Sequence, residues 1–132
     1  MGKNFSLWFT RKANLDENDG TALFKEREVW WCSLGKNIGF EQDGVGDLFT
    51  RPVVILKKFN VHTCLIIPLT SQEKVGKYYF SIGVINGVSN IAILSQIRFI
   101  DRKRLVRKLA KLEAETFKNL YNATQNACFP EI

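Results

Sequence analysis

Arg51 opens one apolar run, Thr70 and Ser71 close another, and Glu41 lies in the glycine-rich stretch between two such runs. Together they supply a permanent cation, two hydroxyls and a carboxylate. That set suits work on a phosphodiester. A planar guanidinium binds two phosphate oxygens at once and stays charged at any working pH. Hydroxyls donate to nonbridging oxygens, and a carboxylate takes up a proton or orients the arginine. Each residue also has an ordinary reading: a surface arginine beside Pro52, turn capping for Thr70 and Ser71, and plain solvation for Glu41. The chemistry exists only if the fold brings these groups together.

The elements that must do so are legible as short apolar runs. Val29 to Leu34 reads as a strand of bulky residues, and Arg51–Lys58 with Thr63–Leu69 as a hairpin of buried strands joined by Phe59-Asn-Val-His62. Pro52 falls at the start of its run, where a missing N–H is tolerated. Gly35, Gly39, Gly44 and Gly46, with Asp43 and Asp47, make the segment between Gly35 and Thr50 a long, mobile loop. Tyr78–Ser81 and Ile91–Leu94 supply further strands, separated by a turn region holding Gly83 and Gly87. In Ile97-Arg98-Phe99 the alternation sends Ile97 and Phe99 one way and Arg98 the other.

Asp101 caps a short turn that holds Arg102 and Arg104, and a last strand runs over Val106–Leu109. A closing helix spans about residues 113 to 126, with Phe117, Leu120, Tyr121 and Thr124 as its inward stripe. Ahead of all this, Phe5, Trp8, Phe9 and Ala13 suggest an amphipathic helix over about residues 4 to 14, ended by Asp16-Glu-Asn-Asp-Gly20. Strands first and one closing helix give a mainly β (α+β) fold, a small twisted barrel. The domain organisation expected is an N-terminal helical extension, 1–26, packed on a barrel domain, 27–132.

A chain of 132 residues, 45% of them hydrophobic, suffices for one domain with a core of its own. Nineteen Lys and Arg against thirteen Asp and Glu leave a net charge of +6, which favours a polyanionic partner and salt-sensitive association with it. Cys32, Cys64 and Cys128 are odd in number and widely spaced, as expected of reduced thiols in the cytoplasm. His62 is the only histidine and no Cys-x-x-Cys pair occurs, so neither a zinc site nor any other cofactor is expected. No apolar run is long enough to span a membrane, and Gly35-Lys-Asn-Ile lacks the second half of a phosphate-binding loop.

The segments Glu28-Val-Trp-Trp-Cys-Ser-Leu-Gly35, Gly39-Phe-Glu-Gln42, Arg51-Pro-Val-Val-Ile-Leu56, Pro68-Leu-Thr-Ser71, Ser95-Gln-Ile-Arg98 and Asp101-Arg-Lys-Arg-Leu105 together resemble the PemK/MazF toxin endoribonucleases (mRNA interferases) of type II toxin–antitoxin systems. The resemblance covers about residues 27 to 112. It implies an SH3-like, CcdB-like barrel with a short helix besides the terminal ones. It also implies metal-independent, sequence-selective cleavage of single-stranded RNA by attack of the 2′-hydroxyl. Arg51 and Thr70 match the family's catalytic arginine and threonine, and Glu41 its Gly-x-Glu-Gln glutamate.

Some relatives carry a histidine, an arginine and an aspartate where Phe40, Ile93 and Ser95 stand here, which leaves the proton acceptor open. For substrate binding the candidates are Ser71, Gln96 and Arg98, the loop lysines Lys36, Lys74 and Lys77, and Trp31. Gln96 and Arg98 are expected on a strand beside the groove. Trp30 and Trp31 must face opposite sides of their strand, one in the core and the other partly exposed. The basic stretch Arg102, Lys103, Arg104, Arg107, Lys108 and Lys111 has a mostly structural counterpart in the family. Relatives form homodimers and bind an antitoxin with an acidic, disordered tail. Two alternatives stand beside the nuclease: a nonenzymatic gyrase poison on a CcdB-like barrel, and an RNA-binding barrel without catalysis.

Overall fold

The computed structural model of the chain describes residues 23–35 and 50–131. The expected N-terminal helix, the glycine-rich loop, Lys36 and Glu41 lie outside the described residues. Among the described residues there are seven strands: β1 (Glu28–Ser33), β2 (Thr50–Lys58), β3 (Thr63–Thr70), β4 (Tyr79–Ile85), β5 (Val88–Ile93), β6 (Arg98–Asp101) and β7 (Leu105–Lys111). One helix, α1 (Ala114–Cys128), closes the chain, and 3-10 turns lie at Leu94–Gln96 and Arg102–Arg104.

The strands form one antiparallel sheet in the order β4-β5-β3-β2-β1-β7, with β6 also paired to β3. Strand β3 hands over from β6, paired through Thr63–Ile66, to β5, paired through Leu69 and Thr70. Pro68 stands at that handover, where a residue without an N–H costs least. Register shifts in the β1–β7, β2–β3 and β4–β5 pairs bend the sheet. The result is a curled half-barrel.

Strands β2 and β3 are apolar on both faces because both faces are covered. On one, Val53, Ile55, Cys64 and Ile66 pack with Phe24, Trp30, Cys32, Ile100 and Leu105. On the other, Val54, Leu56, Ile67 and Leu69 pack with Val29, Leu94, Leu112 and Leu120 of α1. The helix is seated by a stripe that differs from the expected one at Tyr121 and runs on through Ala123, Ala127 and Cys128. Leu120 and Thr124 are buried and Phe117 half-buried, whereas Tyr121 is exposed and instead lies against the Phe117 ring.

The alternation expected after Gln96 is present: Arg98 and Ile100 share one face of β6 and Phe99 takes the other. Phe99 is 60% exposed, paired with Phe59 across 6.0 Å, while Ile100 enters the core. Gln96 belongs to the 3-10 turn and not to a strand. The β4–β5 pair runs further than expected because Asn86 and Gly87 both adopt positive φ, 51° and 80°, the two-residue turn that matches strand twist.

Arg27 ties β2 to the end of β7 at the start of β1. Its backbone has φ 77°; its N–H donates to Ile55 and its carbonyl accepts from Leu112, while Nε and Nη2 both reach the Leu112 carbonyl. Among the described residues no helix is long and apolar enough to cross a membrane.

Candidate functional site

Register places the principal residues. Val53 faces Pro68 and Val54 faces Ile67 across β2 and β3, so two residues further along Arg51 faces Thr70. Directly opposed residues project from the same face of a sheet. Arg51 shares its face with Val53 and Ile55, and Thr70 with Ile66, so both side chains emerge on the face lined by Trp30 and Cys32. Cys32 itself faces Arg51 from the β1 side. The arginine and the hydroxyl thus share one face at one end of adjoining strands.

Both residues are fixed, Arg51 being 8% exposed and Thr70 6%. The Arg51 Nη1 donates to the carbonyl of Leu69 at 3.0 Å, which holds the guanidinium against the end of β3. Thr70 Oγ1 accepts the N–H of Gln72 at 3.1 Å. That bond uses a lone pair and not the hydroxyl hydrogen, so the same hydroxyl can still donate. The pair offers what a crowded phosphorus centre needs: a held cation and a held alcohol.

The remaining candidates divide. Ser71 is exposed directly after Thr70, and Lys74 and Lys77 are exposed on the turn that follows, with the Lys77 ammonium 5.0 Å from the centre of the Tyr78 ring. Arg98, half-buried, faces Ile66 of β3 and therefore lies on the Arg51 face, about 13 Å along that strand from Thr70. Gln96 is half-buried in the turn before it.

Trp31 does not join them. It faces Pro52 and Arg107, whereas Arg51 faces Cys32, so the indole projects from the opposite face. Among the described residues its ring N–H is shielded and has no acceptor. Trp30 is the core tryptophan, at 7% exposure.

Much of the basic stretch serves the fold. Arg102 is buried and its backbone N–H donates to the His62 carbonyl; Asp101 Oδ1 accepts from the N–H of Lys103 at 2.8 Å, the cap expected there. Lys108 Nζ lies 3.1 Å from Oε2 of Glu28, a carboxylate 4% exposed. Glu28 also accepts from the Trp30 indole at 3.0 Å and from the Lys25 N–H at 2.8 Å. Burial pushes this carboxyl up, but the bonds from Trp30, Lys25 and Lys108 outweigh it and hold the group below its ordinary range. Reading of the sequence missed this network; a lone Glu two residues before a core tryptophan was its only signal.

The architecture is that of a small curled β half-barrel closed by one helix. A family model described as PemK-like, MazF-like toxin of type II toxin-antitoxin system matches residues 25–127. The chain belongs to that family. MazF (Form-I) from Deinococcus radiodurans superposes with TM-score 0.63 at 18% identity, over 79% of this chain and 94% of that one. The Mycobacterium tuberculosis toxin MazF-mt6 gives 0.62 at 18%, over 80% and 100%. An endoribonuclease in complex with its cognate antitoxin, from Mycobacterial species, gives 0.60 at 14%, over 77% and 91%. At such identities these likenesses speak for the fold. Among curated proteins no significant match is found.

Proposed function

We propose that the protein is a toxin endoribonuclease that cuts single-stranded RNA at selected sequences, the 2′-hydroxyl attacking its own phosphate. The observation that carries this reading is the convergence of Arg51 and Thr70 on one face at one strand end. In such a reaction the phosphorus centre gains negative charge, and fixed donors aimed at that charge are worth about 100- to 1,000-fold in rate. Arg51 fills that role, with the Thr70 hydroxyl donating to a nonbridging oxygen and Ser71 beside it. Glu41 orients the arginine or accepts the 2′-proton. Arg98, Gln96 and the lysines Lys36, Lys74 and Lys77 hold the strand, and Trp31, on the opposite face of the sheet, takes no part in that set.

Family membership supports a toxin whose partner is an antitoxin. The Mycobacterial neighbour is itself an endoribonuclease bound to its cognate antitoxin. A net charge of +6 suits both RNA and an acidic, disordered tail competing for the same groove. The working form is a homodimer in the cytoplasm.

The reading is tested by incubating the purified protein with end-labelled, unstructured RNA in excess chelator. Discrete cuts ending in 2′,3′-cyclic phosphate are expected. RNA left intact after long exposure to folded protein would remove the nuclease assignment.

A further inference from the structure

Arg104 ends the short turn after β6, and its Nη1 donates to the carbonyl oxygen of Ser33 at 3.2 Å. Ser33 ends β1 and faces Thr50, the residue before Arg51. The next row of the sheet aligns Leu105, Cys32 and Arg51 across β7, β1 and β2, and the β2–β3 register adds Thr70. The guanidinium of Arg104 is therefore held at the same end of the strands as Arg51. It lies about two strand spacings, roughly 10 Å, from the Leu69 carbonyl on β3 that holds the Arg51 guanidinium. Thr70 lies on the other side of Arg51. Arg104, Arg51 and Thr70 follow one another across the strand ends.

We propose that Arg104 binds a second phosphate of the RNA, one or two steps along the strand from the phosphate at Arg51 and Thr70. The inference rests on the ribonuclease reading and gives the substrate a direction across the sheet. A separation of about 10 Å across two strand spacings is within the span of one to two phosphate steps of an extended single strand. Arg104 is exposed, unlike Arg51, so it can meet a ligand without rearrangement. A guanidinium carries five N–H donors in a planar fork, and a fork steadied at one corner can still grip two phosphate oxygens. Gly35, at φ +71°, carries the chain past this side chain; a Cβ there would come within 4.0 Å of the Arg104 Nη1. Of its basic neighbours, Arg102 is buried and Lys108 pairs with Glu28.

The test measures binding of full-length protein to a 2′-O-methyl oligoribonucleotide, which cannot be cut, across a salt series, beside cleavage kinetics on the ordinary RNA. Arg104→Gln should weaken binding about tenfold at low salt and make the salt dependence shallower by about 0.7, the single-strand increment for one phosphate. The loss in cleavage should fall on KM more than on kcat. Arg104→Lys, which keeps the charge without the fork, should restore the salt slope and only part of the affinity. A merely structural arginine would lower the melting temperature without changing that slope. A parent protein that binds and cuts RNA, with an Arg104→Gln variant of equal affinity and slope, overturns this assignment alone. A parent that neither binds nor cuts overturns it together with the proposed function.

Discussion

The β2–β3 register, carried two residues beyond Val53 and Pro68, sets Arg51 opposite Thr70, and the Arg51 guanidinium is tied at 3.0 Å to the carbonyl of Leu69, the residue immediately before that threonine. One bond thus sets the position of the cation relative to the alcohol. Arg51→Ala removes both the charge and the tie. Cleavage is expected to fall by at least about 100-fold. Stability should drop by about 1–3 kcal/mol, because the Leu69 carbonyl loses a charged donor, which still leaves most of a typical domain's 5–15 kcal/mol. Arg51→Lys should recover folding better than activity, since an ammonium cannot reproduce the fork. Rates within a few-fold of the parent in folded Arg51→Ala would end this assignment.

Thr70 allows a cleaner separation of packing from chemistry. Thr70→Val keeps the branched shape and deletes the hydroxyl that accepts from Gln72 and faces Arg51. Thr70→Ser keeps the hydroxyl and deletes a methyl. The valine variant should lose about 10- to 100-fold in kcat and the serine variant much less. Single-turnover cleavage distinguishes them; equal losses would mean that the methyl, and not the oxygen, matters.

The β2–β3 hairpin was legible because its runs are apolar throughout, and that alone placed Arg51 and Thr70 at strand ends. What could not be read was which residues face each other, since a shift of one position reverses every side chain. In β6 the alternation is legible but not which side is inward: Phe99 lies at the surface against the Phe59 ring, and Ile100 takes the inward place. Asn86-Gly87 was a readable turn signal that the wider spacing of Gly83 and Gly87 obscured. The tie between Arg104 and Ser33 joins residues 71 apart in sequence, and no local pattern announces it.

Glu28 makes stability depend on pH. Its folded-state carboxyl lies below the ordinary value of 4.5, because bonds from Trp30, Lys25 and Lys108 outweigh the opposing effect of burial. The unfolded chain therefore binds the proton more readily. The contribution is complete above that ordinary value and is lost as pH falls through the lowered one. Denaturant midpoints should decline through this acidic range, and Glu28→Gln should flatten the decline while lowering stability near neutrality by about 1–3 kcal/mol. Parallel curves for the two proteins would show that other carboxylates govern the acid limb.

Cys64 gives a readout of how firmly the core is closed. Burial, reinforced by the negative charge of Asp101 and only partly offset by Lys58, pushes its thiol up to about 12. Cys32 is equally buried, whereas Cys128 is half-buried, its Sγ donating to the Leu94 carbonyl at 3.3 Å. Only a thiolate that a reagent can reach is alkylated. At about pH 8 native protein should take up label at Cys128 alone, and all three thiols should react once denaturant opens the sheet. Peptide mapping of the label decides the matter. Modification of Cys64 at the rate of Cys128 under native conditions would mean that β3 opens locally, and the face carrying Arg51 and Thr70 would not be the rigid support that the chemistry requires.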